Sequence, residues 1–222
     1  MTERPERSCR GDGSAKPVAI DVAAIVTSAV ASRGHNLVTR PTGQAVREAI
    51  EQRLAQTTPS PARTAPFPAQ TAPSPHVMLI DFTRVRILDF SCADEVVAKL
   101  LLRFQGPDRP GNIFFLFRAV DEMHRHAVEE VLERHGLAAV CDVGDGFQLL
   151  GPATPEEHRA WNTLERCERI GPHDLAGALG EFGEPLLRRL ARRRLAYWSG
   201  NGGAAALSAL ARTLQTNQGG RQ

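Results

Sequence analysis

The sequence predicts an α/β protein in which a sheet is covered by helices and is followed by a small, mainly helical unit. Three observations carry this. Runs such as "VMLIDF" and "NIFFLF" are continuously apolar, the pattern of a buried strand. Segments with apolar residues at helical spacing lie between such runs, so strands and helices alternate. Residues 154–214 differ in kind, being mostly helical with one aromatic strand-like piece, "LAYW".

The bulk numbers fit that reading. A chain of 222 residues suffices for one large domain, or one medium and one small. Hydrophobic residues make up 42% and charged residues 23%, an ordinary globular composition. The formal net charge is only +2, so any signal for nucleic acid must be local. The N-terminus "MTERPERSCRGDGSAK" lacks the apolar core of a signal peptide. No apolar run approaches the ~20 residues of a membrane span. The four cysteines, Cys9, Cys92, Cys141 and Cys167, form no C-x-x-C pair. They predict neither a metal site nor a disulfide framework, and read as reduced thiols of a cytoplasmic protein.

Along the chain, residues 1–16 are polar and are expected to be a disordered tail, as are residues 215–222. "PVAIDVAAIVTSAVASRG" predicts a strand and then a helix ending near Gly34, and "NLVTR" a short extended piece. "PTGQAVREAIEQRLAQ" predicts a helix with Ala45, Val46, Ala49, Ile50 and Leu54 inward, and Pro41 suits its first turn. Residues 57–75 are rich in Pro, Ala, Thr and Ser, with too little apolar area to order themselves. "VMLIDF" is a strand, "RVRILDF" a short strand or a turn-flanked apolar run, and residues 92–104 a helix with Val96, Val97, Leu100 and Leu101 inward. "NIFFLF" is a strand. Residues 119–135 form a helix with Val120, Met123, Ala127, Val128, Val131 and Leu132 on its buried face. "LAAVCDV" and "FQLLG" are strands around a "GDG" turn.

Several constellations bear on possible chemistry. Ser91 with Asp94 three residues on is nearly a capping box, so Ser91 reads as the residue that starts a helix. Asp94 and Glu95 are adjacent and diverge on a helix, a poor acid/base pair. His124 and His126 sit on different helix faces, and Asp121 with Arg125 and Glu130 with Arg134 are i, i+4 pairs of a solvated face. No phosphate loop or nucleophile turn is present. The protein is expected not to be an enzyme and to need no cofactor or metal.

Two quoted stretches carry a resemblance. "TRPTGQAVREAI", residues 39–50, and "IDFTRVRILDFSCADEVVAKLL" after it resemble the core of the STAS-like domains of bacterial regulators. The resemblance covers roughly residues 17–150, and it places the Pro-rich residues 57–75 as an insertion within one domain. The wider family includes the anti-sigma-factor antagonists, whose D-S-[ST]-G motif is phosphorylated on its second hydroxyl by a partner kinase. Aligned on Asp89, this chain reads "DFSC", so the resemblance puts Ser91 at the phosphorylated position. Phe90 and Cys92 depart from the motif, and Asp94 and Glu95 stand where the antagonists are apolar. The resemblance implies a protein partner, such as an anti-sigma-type kinase, docking around Asp89, Asp94 and Glu95. Cap and switch remain open for Ser91.

In "GPHDLAGALGEFGEPLLRRLARRRLAYWSGNGG", Gly171 and Pro172 start a helix with Leu175, Ala176 and Leu179 inward, and Gly180 stops it. Glu184 and Pro185 start the next. Leu186, Leu187, Leu190 and Ala191 fall on one side, and Arg188, Arg189, Arg192 and Arg193 on the other. Arg194 would point back to the apolar side, so the helix ends near it. Residues 154–214 resemble a winged helix-turn-helix, whose basic second helix would read double-stranded DNA. The alternative is a solvated face or one that meets an acidic protein. The expectation is a non-catalytic transcription regulator, or else an interaction module of a partner switch without DNA binding.

Overall fold

A computed structural model describes residues 18–30, 36–57, 75–105 and 112–215. The predicted tails, 1–16 and all of 215–222 but Gln215, and nearly all of the Pro-rich segment, lie outside the described residues. The protein is mixed α/β, with a mixed sheet covered by helices. The main sheet holds β1 (Val18–Asp21), β3 (His76–Asp81), β5 (Ile113–Arg118), β6 (Ala139–Asp142) and β7 (Phe147–Leu150), side by side in chain order. All neighbours are parallel except β6 and β7, which form an antiparallel hairpin.

That order dictates where the helices go. Each strand steps to the next in one direction, and crossovers between parallel strands share one hand. The connecting helices therefore collect on one face. They are α1 (Val22–Val30), α2 (Arg40–Thr57), the helix from α3 (Phe90–Ala93) to α4 (Leu100–Gln105), and α5 (Glu122–His135). Ile20, Met78, Ile80, Phe115, Phe117 and Cys141 face this layer, against Ile25, Val46, Ile50, Val97 and Val128. The alternate residues Val77, Leu79, Phe114, Leu116, Val140 and Leu149 face the other way.

The second face is covered by the C-terminal residues. Here α6 (Pro155–Cys167), β8 (Arg169–Ile170), α7 (Leu175–Leu179), α8 (Gly183–Arg192), β9 (Tyr197–Trp198), β10 (Ala204–Ala205) and α9 (Leu207–Gln215) follow in order. The three strands make a small antiparallel sheet in the order β8-β10-β9. Trp161, Leu164, Leu187, Leu190, Leu195 and Leu207 share one core with the second face of the main sheet. The segment expected as a separate unit is thus built onto the sheet. Arg194 strengthens the seam: its guanidinium lies 4.7 Å from the Phe114 ring centre and bonds Asn112 Oδ1 at 2.8 Å.

Local expectations were met with instructive exceptions. Val46, Ile50, Leu54, Val96, Val97, Leu100 and Leu101 are buried as their spacing predicts. Gly180 ends α7 with φ 74°, a left-handed geometry that glycine adopts without strain. Ala176 is exposed, and Leu179 is only half-buried. Met123, placed inward by the sequence, is 75% exposed, and His124 is buried in its stead. The helix opens later than predicted, at Glu122 behind the N-cap Asp121. The buried face then runs through 124, 127, 128, 131 and 132. Asp121 caps by accepting from the Met123 N–H at 3.0 Å, so Arg125 pairs instead with Glu129 at 2.7 Å.

The double-sided sheet makes a testable prediction. A chain ending at Gly151 keeps the first face covered and bares Val77, Leu79, Phe114, Leu116, Val140 and Leu149. Such a contiguous apolar patch drives association. The truncated chain is expected to bind an environment-sensitive dye and to scatter light, while the full chain does neither.

Candidate functional site

β2 (Asn36–Leu37) and β4 (Ile87–Leu88) pair in parallel as a separate two-stranded sheet. The pairing continues past β4, where the Asp89 N–H donates to the Leu37 carbonyl at 2.8 Å. This brings the start of α2 against the start of α3. Gly43 is what permits the approach, since a Cβ there would stand 2.9 Å from the Cys92 Cα. The Cys92 thiol donates to the Thr39 carbonyl at 3.0 Å. Burial, aided by the neighbouring Asp89 charge, pushes that thiol up to about 11, so Cys92 is a packed, unreactive group.

The cap of α3 is Asp89, not Ser91. Asp89 has extended backbone, and its Oδ1 accepts from the Cys92 N–H at 3.0 Å. Ser91 lies inside the first turn, half-buried, with its hydroxyl donated to the same Oδ1 at 2.7 Å. Burial opposes ionisation of Asp89, but these bonds outweigh it and hold its carboxyl below the ordinary value. The capping-box reading of Ser91 fails because the helix starts two residues earlier, so the Ala93 and Asp94 N–H groups that Ser91 would cap already donate to backbone carbonyls.

Asp94 and Glu95 stand on a π-helical turn, Asp94–Lys99. They do not diverge: Arg40 Nη1 reaches Asp94 at 2.9 Å and Glu95 at 3.0 Å. His135 Nε2 lies 2.7 Å from Asp94, Arg47 Nε lies 3.2 Å from Glu95, and Lys99 pairs with Glu95. The carboxylate side chains are 9% and 3% exposed, so the two residues expected on a partner-binding surface instead face cations of their own chain. Burial raises both carboxyls. Bonds from His135 and Arg40 for Asp94, and from Lys99 and Arg47 for Glu95, overcome it and leave both below the usual range. The sequence quoted Arg40 and Arg47 as motif residues but assigned them no partner, and it missed His135.

Several apolar side chains near the start of α3, on β4, just beyond β2 and on α5 are exposed. Phe90 is 42% exposed and stands edge-on to His126 at 5.3 Å. Ile87 and Val38 are exposed on β4 and just beyond β2, and Met123 lies one turn before His126.

The arginines of α8 fall where their spacing predicts, but they are not equivalent. Arg188, Arg189 and Arg192 are exposed, while Arg193 is the C-cap and only 25% exposed. Leu187 and Leu190 are buried beneath them and Leu186 is half-buried. Arg188 pairs with Glu184 at 2.7 Å and lies 4.5 Å over the Trp198 ring, tying helix to hairpin. Arg193 Nη1 donates to Glu157 Oε2 at 2.8 Å, and its other Nη to the Pro152 carbonyl. Arg189 Nε lies 3.0 Å from Glu157 Oε1, but without hydrogen-bond alignment. The sequence missed Glu157, although Thr154-Pro-Glu-Glu157 carries the capping-box pattern that the structure builds.

Elsewhere, an open cleft of about 690 Å³ lies between the β6–β7 turn, α6 and α9. Glu165 in its wall is raised by burial. Among the described residues no helix is long and apolar enough to cross a membrane. Comparison with family models, curated proteins and solved structures gives no match.

Two substitution pairs test this geometry by denaturant melts. Asp89→Ala is expected to cost about 1 kcal/mol as a lost cap, and Ser91→Ala clearly less. Arg193→Ala leaves the buried Glu157 carboxylate its Thr154 N–H but only the misaligned Arg189 as a cation, and is expected to cost about 3 kcal/mol. Arg192→Ala is expected to stay within ~0.5 kcal/mol.

Proposed function

We propose that the protein is a non-catalytic transcription regulator: its STAS-like part docks a protein partner at the start of α3, and its C-terminal part presents α8 to duplex DNA. The observation that carries the DNA half is the exposed face of Arg188, Arg189 and Arg192 on a helix whose leucines are fixed in the core. Such a face suits a phosphodiester backbone, which guanidinium groups bind in a forked geometry. Further support for a winged helix-turn-helix comes from the order α6, β8, α7, α8, β9, β10, with β10 between β8 and β9. The docking half is supported by the exposed Phe90, which precedes Ser91 in the chain, and by the exposed Ile87 on β4, which leads into α3.

A second reading is a partner-switch module without DNA binding, in which Ser91 is phosphorylated by an anti-sigma-type kinase. It is favoured by one observation: Glu184 and Glu157 already occupy Arg188, Arg189 and Arg193. Salt dependence separates the two. Binding to a random-sequence duplex should weaken steeply with salt, and Arg188→Ala with Arg192→Ala should flatten the slope of log affinity against log salt by about two. Absence of binding at low salt rejects the DNA half. Intact-mass measurement on protein from its native cell tests Ser91: a phosphate there supports the switch, and its absence from growing and starved cells removes it.

A further inference from the structure

We infer that Glu157 sets how much of the arginine face a polyanion can use, holding Arg193 out of that face and tempering Arg189. The inference rests on the reading of α8 as a polyanion-binding helix. Glu157 sits in the first turn of α6 with its side chain 1% exposed. Its Oε2 accepts from the Thr154 N–H at 2.9 Å and from Arg193 at 2.8 Å. A carboxylate this buried cannot lose its cation cheaply, because water does not replace it. A phosphate group therefore competes poorly for Arg193. The exposed Arg188–Glu184 pair is different: both side chains are at least half exposed, and such a pair holds weakly. Arg188 exchanges its carboxylate for a phosphate readily. Arg192 makes no ion pair among the described residues and is available outright. Arg189 lies between these cases, half exposed and beside an Oε1 that lacks an aligned donor.

The usable face is thus Arg188, Arg192 and part of Arg189, narrower than the stripe in the sequence. The ligand chemistry it fits is a chain of phosphodiester or sulfate groups. Glu157→Gln tests the role with little disturbance, since glutamine also serves at the third position of a capping box. Arg189 and Arg193 against Glu157 carry one net positive charge; with glutamine they carry two. The slope of log affinity against log salt for a random duplex should steepen by about 0.9. The variant should also leave a heparin column at higher salt than the parent. Thr154→Ala loses the cap but keeps the carboxylate, and should move neither reading.

An unmoved or flattened slope with unmoved elution overturns the inference, as does an equal shift in Thr154→Ala. A heparin shift without duplex binding by either protein supports the role of Glu157 and rejects the DNA reading. Should Glu157→Gln fail to fold, limited phenylglyoxal labelling of the unsubstituted protein decides. Arg192 and Arg188 are expected to react before Arg193, and equal reaction of the three overturns the inference.

Discussion

A strand inside a parallel sheet carries apolar side chains on both of its faces, yet a run of same-handed crossovers can cover only one. The two-layer build of this molecule follows from that imbalance. β1, β3, β5 and β6 are laid down in chain order, so their helices crowd one side. Phe114, Leu116, Val77 and Leu79 are left facing water until α6, α8 and α9 arrive. The C-terminal helices therefore have two tasks. Their leucines complete the core of the sheet, and their outer surfaces are free for binding. Because α8 is fixed from below through Leu187 and Leu190, its arginines stand on a rigid base.

A second constraint acts where α2 meets α3. Two adjacent buried carboxylates could not remain ionised alone, since each would lose the hydration that stabilises its charge. Arg40, Arg47, Lys99 and His135 supply what water would have supplied. They come from α2, from the π turn itself and from the end of α5, so the cluster is satisfied in only one arrangement of three helices. Replacing such a cluster with apolar side chains often does not weaken a protein. Its effect here is to fix register, which agrees with Gly43 being small enough for close contact at the same place.

What the sequence made legible was local. Continuous apolar runs marked β3 and β5, and helical spacing placed Val46, Ile50, Leu187 and Leu190 inward. The turn residue Gly180 was read from its chemistry alone. What stayed hidden depended on partners far along the chain. Arg40 lies 54 positions from Asp94, and Arg193 lies 36 from Glu157. Nothing in either neighbourhood states that they meet. The π turn was hidden for another reason: its residues have ordinary helical spacing, and nothing in them marks the wider coil. Ser91 resembles a cap because hydroxyls commonly cap, but Asp89, two residues earlier, starts the helix with a charged acceptor on the Cys92 N–H.

The late position of the covering helices has a consequence for synthesis. A ribosome adds about 5–20 residues per second, so several seconds separate completion of β7 from the appearance of α9. During that interval the nascent sheet has one finished side and one greasy side. Collapse onto the wrong partner competes with waiting for the right one. A chaperone that shields β5 and β3 for those seconds would raise the yield of native protein without touching its final stability. Slow codons would have opposite effects on the two sides of Gly151: harmless before it, and harmful after it.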